Sequence, residues 1–148
     1  MGTRADFYLG RGDKLEWIGS CAWDGHEDTM TKLGVLSAES EKDYLDAVDK
    51  RLSKDDGTRP KDGWPWPWET SHTTDRAYTF DAGKAWVSAG RQWQTRAEYE
   101  AREKEWARRD KAGEDEMPAL PREVFPNMKD RQAVTLGKRS GILVFGVK

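Results

Sequence analysis

Asp24, His26, Glu27 and Asp28 fall within five residues, and His72 and Asp75 follow at a distance, which is the inventory a metal site would draw on. Two histidines and one cysteine in the chain do not supply a closed zinc site without carboxylates. A metal would therefore need His26, His72 and Asp75 to meet across two loops. Asp24, Glu27 and Asp28 lack the alternate ligand spacing and turn glycine of a calcium loop, so these groups read first as solvated turn formers. Ser71, His72 and Asp75 are triad residue types, yet neighbours in sequence rarely converge and no nucleophile elbow surrounds them. Cys21 lies in a strand pattern, where a thiol usually packs as a small hydrophobe. The segment GTRPKDG (57–63) lacks the lysine–hydroxyl ending of a phosphate loop, and nothing singles out a carboxylate pair among the 27 acidic residues. Catalysis, metal and cofactor all lack a signature, so the expectation is a non-enzymatic protein with no cofactor.

The tryptophans are the stronger signal. Five of eight fall between residues 62 and 93, three of them in WPWPW (64–68). Each proline removes a backbone donor and pushes the residue before it to extended geometry. The segment is predicted to be stiff and polyproline-like, with rings pointing in different directions and at least one of them exposed or only partly covered. Such a segment is either a lid over a small core or a face that holds another molecule. Tryptophan with arginine is the composition of interface hot spots and also of stacking platforms. Trp17 and Trp86, on strand patterns, read as core. Trp64, Trp66, Trp68, Arg91, Trp93 and Trp106 are the predicted contact residues.

These groups need elements to hold them. Residues 3–23 alternate as a hairpin around Gly10-Arg11-Gly12-Asp13, whose Arg-Gly-Asp spelling needs only a turn explanation. In its second strand Leu15, Trp17, Gly19 and Cys21 share one face. Residues 24–36 read as a loop, and a helix is expected from Ala38 to Leu52 with Ser37 as N-cap. Residues 53–63 form a loop, and Arg76–Phe80 and Lys84–Ala89 form a second hairpin around Asp81-Ala82-Gly83. Thr95-Arg-Ala-Glu98 is a capping box opening a charged helix to Ala112, with i,i+4 pairs Glu98–Arg102, Glu100–Lys104 and Glu105–Arg109. An acidic linker (113–128) leads to a third hairpin, 134–136 with 142–147. The predicted fold is a single α+β domain over 1–148, an antiparallel sheet of hairpins with two helices packed on one face or end.

Composition closes off further classes. Lys and Arg number 25 against 27 Asp and Glu, a net charge of −2, which opposes nonspecific nucleic-acid binding. Leu, Ile, Val and Phe make up only about 15% of residues, so aromatic bulk must supply much of the core. One cysteine suits a reducing cytoplasm, and no apolar run is long enough to span a membrane.

TRADFYLGRG…LEWIGSCAWDG, HTTDRAYTFDAGKAWVS and MKDRQAVTLGKRSGILVF resemble small uncharacterised proteins of tailed bacteriophages and prophages. The resemblance implies an accessory protein made in the infected bacterial cytoplasm. It implies a protein partner from host or phage, and action as an inhibitor or sequestering partner of a host protein, including defence components such as CRISPR. The competing expectations are a Trp-rich module stacking on a sugar or nucleotide, with His72 or Asp75 fixing polarity, and, third, a small hydrolase or metal-dependent enzyme.

Overall fold

The structure, a computed structural model, describes residues 3–89, 92–113, 125 and 128. Among the described residues five strands form one mixed sheet: β1 (Ala5–Leu9), β2 (Glu16–Cys21), β3 (Gly57–Thr58), β4 (Arg76–Asp81) and β5 (Lys84–Ser88). Their order is β3-β2-β1-β4-β5. β1 is central, antiparallel to β2 and parallel to β4, while β4–β5 is the predicted second hairpin. Among the described residues the sheet is accompanied by α1 (Glu27–Leu33), α2 (Glu41–Leu52) and α3 (Arg96–Ala112). The fold is α+β, as predicted from the hairpin pattern. The sequence reading of 134–136 with 142–147 as a third hairpin lies outside the described residues.

Alternation along the strands gives the sheet two buried faces. Ala5 and Phe7 of β1, Tyr78 and Phe80 of β4, and Ala85 and Val87 of β5 point to one side, where Met30 of α1, Tyr44, Val48 and Leu52 of α2 and Tyr99 of α3 cover them. Tyr8, Trp17 and Ala77 point to the other, under Trp64, Trp93, Phe125 and Met128. A bulge decides which residues of β2 go where. Phe7 pairs with Gly19 but Tyr8 pairs with Trp17, leaving Ile18 as the extra residue. The phase of the alternation shifts there, so Trp17 and Cys21, expected on one face, lie in opposite cores, and Ile18 joins Cys21. Gly19 beside the bulge takes φ 155°, and a Cβ there would crowd Leu52 Cδ1 at 2.3 Å and the Thr58 carbonyl oxygen at 3.0 Å.

Local chemistry also moves two element boundaries. His26 caps α1 by accepting from the Asp28 amide at 3.2 Å, and an imidazole cap in a polar run gave the sequence reading no helix. Ser37 is not the cap of α2, because its hydroxyl donates to the Thr31 carbonyl at the end of α1. Ser40 takes that role, accepting from the Asp43 amide at 3.1 Å. The capping box of α3 forms as read, with Thr95 N to Glu98 Oε1 at 2.9 Å and Glu98 N to Thr95 Oγ1 at 3.3 Å. Glu105 pairs with Arg109, and Glu100 pairs with Arg96.

The β4–β5 turn carries the left-handed residues Ala82 (φ 54°) and Gly83 (φ 75°). Gly83 adopts this freely, whereas an alanine there is strained by about 1 kcal/mol. Ala82→Gly should therefore raise stability by about 0.5–1 kcal/mol, measured as a higher urea midpoint at unchanged slope.

Candidate recognition surface

Asp6 sits at the centre of the second face and is fully buried. Its alternation in β1 places it between Ser20 of β2 and the segment 64–74, which crosses the sheet as a strap. Ser20 Oγ and Trp66 Nε1 reach its Oδ1 at 2.6 and 2.7 Å, and Ser71 Oγ reaches Oδ2 at 2.6 Å. Thr74 contributes a further side-chain hydrogen bond. Behind these hydroxyls stand more aromatic donors. Trp17 Nε1 donates to Ser20 Oγ at 3.0 Å, Trp68 Nε1 to Thr74 Oγ1 at 2.8 Å, and Tyr8 Oη shares a 2.5 Å bond with Ser71 Oγ. An indole N–H can only donate, so the Trp17 and Trp68 branches run towards the carboxylate, and while Ser71 donates to Asp6 its oxygen accepts from Tyr8 Oη. Burial pushes the Asp6 pKa above the usual carboxylate range, and the hydrogen bonds from Ser20, Ser71, Trp66 and Thr74 oppose that rise.

This hub orders the WPWPW segment. Pro65 and Pro67 face solvent, Trp64 is buried, and Trp66 and Trp68 are half-buried. All three rings pack towards the sheet, where divergent directions were expected, because every second residue of an extended chain shares a side. Trp64 meets Trp17 edge-on at 5.2 Å and donates to the Trp68 carbonyl at 2.6 Å. Trp66 and Trp68 stack at 5.4 Å, and the Arg4 guanidinium lies over both, 6.0 and 5.6 Å from their centroids.

The remaining predicted contact residues divide by exposure. Trp93 is buried against Tyr8 and Phe125, and its indole N–H has no hydrogen-bond partner among the described residues. Trp64 and Trp93 thus present little ring surface to a partner. Trp106 is 45% exposed. Arg91 lies outside the described residues. Sequence reasoning missed Trp23, 53% exposed, whose signal was its place just beyond a strand and before Asp24-Gly25. Its backbone is clamped: Asp56 Oδ2 accepts the Ala22 and Trp23 amides at 3.1 and 2.8 Å, and Arg51 Nη2 donates to the Trp23 carbonyl at 2.5 Å.

The groups considered for chemistry do not converge. His26 caps a helix, His72 packs edge-on against Phe125 at 5.0 Å, and Asp75 accepts the Arg4 amide at 2.9 Å. Among the described residues no group of three or more His, Cys, Asp or Glu could hold a metal ion. Ser71 is spent on Asp6 and Tyr8. Burial pushes the Cys21 thiol up to about 12, so it stays protonated at neutral pH and is no nucleophile. Two open depressions, of about 420 Å³ beside Leu33, Ala38, Asp43 and Ala47 and about 450 Å³ beside Arg11, Asp81, Gln92 and Trp93, bring no base to a nucleophile. No helix among the described residues is long and apolar enough to cross a membrane. Neither a protein-family model, nor a curated protein, nor a solved structure matches this chain.

Proposed function

We propose that this protein acts by binding a protein partner rather than by catalysis, and that Trp106 on α3 is a principal contact. The observation that carries this reading is the exposure of a tryptophan on a helix tied to the body at its beginning. Tyr99 of α3 is buried, and Arg96 reaches Thr31 and Asp28 of α1. Trp106 lies seven residues beyond Tyr99, two turns further along the same side of the helix. An indole left 45% exposed there has area to bury against a partner. Around it Arg108 and Arg109 both bond Glu105, and α3 carries six Lys and Arg against five acids, a slight basic excess that favours approach to an acidic surface.

The likeness to small phage proteins supplies the setting: a host protein in an infected bacterium, a defence component among the candidates, held or blocked by this chain. A sugar or nucleotide platform fits less well, since the indole N–H groups of Trp66 and Trp68 that would bond a hydroxyl or base edge already point inward to Asp6 and Thr74.

Trp106→Ala tests the reading. The exposed position predicts an unchanged fold by circular dichroism and a partner affinity lower by a factor of ten or more, on the order of 2 kcal/mol for a hot-spot tryptophan. Capture of the same bacterial partner by wild type and variant, quantified by titration once it is identified, gives the answer. Equal affinities remove Trp106 from the interface.

A further inference from the structure

Trp66 and Trp68 differ from the other tryptophans in what remains free on them. The N–H of each is already committed inward, Trp66 to Asp6 and Trp68 to Thr74. What stays accessible is ring face, held in place from beneath, because two stacked rings with bonded edges cannot turn. A carboxylate stands beside them: Asp75 Oδ2 lies 3.6 Å from Arg4 Nη1. Two fixed indole faces and one carboxylate are the groups that bind a guanidinium, whose plane stacks on aromatic rings while its N–H groups face the oxygens. In the free protein that guanidinium is Arg4 itself.

Arg4 holds this position weakly. Its backbone is fixed, with the amide on Asp75 and the carbonyl accepting from Arg76 N at 3.0 Å. Its side chain and that of Asp75 are 38% and 41% exposed, however, and an ion pair that wet contributes little. The Arg4 stem can swing into water without disturbing β1. We propose that Trp66, Trp68 and Asp75 form a guanidinium subsite, that Arg4 is its internal occupant, and that an arginine side chain of a protein partner replaces Arg4 on binding. Asp6 and Thr74 act as positioning residues that hold the two rings ready. The idea deepens the protein-binding reading and rests on it.

The test uses the full chain and N-acetyl-arginine methylamide as probe, followed through the indole N–H signals of Trp66 and Trp68 by two-dimensional NMR. In Arg4→Ala the probe should shift both signals saturably, with wild type binding about tenfold more weakly because Arg4 competes, and the lysine analogue binding less well than the arginine one. Arg4→Met, which keeps the apolar stem and removes the charge, should behave like Arg4→Ala and serves if alanine lowers stability. Absence of saturable shifts in both variants, or equal binding by wild type and variants, overturns the subsite. Because no partner enters the titration, that failure would leave the Trp106 result standing.

Discussion

Asp6→Ala is expected to cost about 4 kcal/mol of stability, near the whole margin of many single domains. The carboxylate collects Ser20, Trp66, Ser71 and Thr74, and removing it strands those donors in a dry interior. Asp6→Asn should cost roughly half as much. Its carbonyl oxygen can still accept from Ser20 and Trp66, and the Ser71–Tyr8 pair can reverse to accept from the new amide. Thr74 loses the acceptor for its own hydroxyl proton, although its oxygen, which already accepts from Trp68, keeps a second lone pair for the amide. Urea denaturation monitored by tryptophan emission measures both, and a loss under 1 kcal/mol for the alanine variant would show that water repairs the network. The pH dependence has a definite sign. Burial raises the Asp6 pKa, so the folded chain holds that proton more tightly than the unfolded one. Stability from this group therefore falls as pH rises above about 4, its unfolded value, and levels off once the raised pKa is passed. Asn at position 6 removes that slope.

The second large effect is at the β3 edge of the sheet. Arg51→Ala should lower stability by about 3 kcal/mol, because it leaves Asp56 without its partner. The Arg51 side chain is 2% exposed and grips Asp56 through both nitrogens, at 2.9 and 2.7 Å, while Asp56 is 15% exposed. The Arg51 hydrogen bonds hold the Asp56 carboxyl below its ordinary range. The sign is opposite to that of Asp6: the contribution is complete above the unfolded value near 4 and is lost as pH falls through the lowered pKa. Acid titration of stability should steepen with Asp56 present and flatten in Asp56→Asn. Since Asp56 and Arg51 also clamp the Trp23 backbone, Arg51→Ala should loosen that exposed indole, read as faster amide exchange at residues 22–25.

The elements that sequence alone made legible are those whose signals are local. The β4–β5 hairpin follows from turn residues between alternating strands, and the start of α3 from Thr95 and Glu98. α1 was illegible because its cap is a histidine and its buried residues, Glu27 and Met30, give no apolar stripe. The parallel neighbour of β1 is a pairing between distant segments that periodicity does not encode. The bulge at Ile18 inverted part of a face assignment that alternation had given to Trp17. At the candidate site, proline spacing implied a stiff segment with diverging rings, yet the direction of those rings was set by a partner far away in sequence. Asp6 reads as an ordinary acid in ADFYL; only the fold shows three hydroxyls and an indole meeting on it. Trp106 stood out because nothing near it in α3 is comparably apolar.

The parallel contact of β1 with β4 joins Ala5 to Arg76, so the middle of the sheet closes across a span of 71 residues. Joining ends that far apart costs chain entropy before any contact compensates it. The two hairpins can zip early from their own turns, but the seam between them must wait for α1, α2 and the strap to be laid down. On a ribosome that order is enforced: the amino-terminal ribbon emerges long before its mate, with Phe7 and Tyr8 still bare, and assembly is gated by the arrival of residues 76–78.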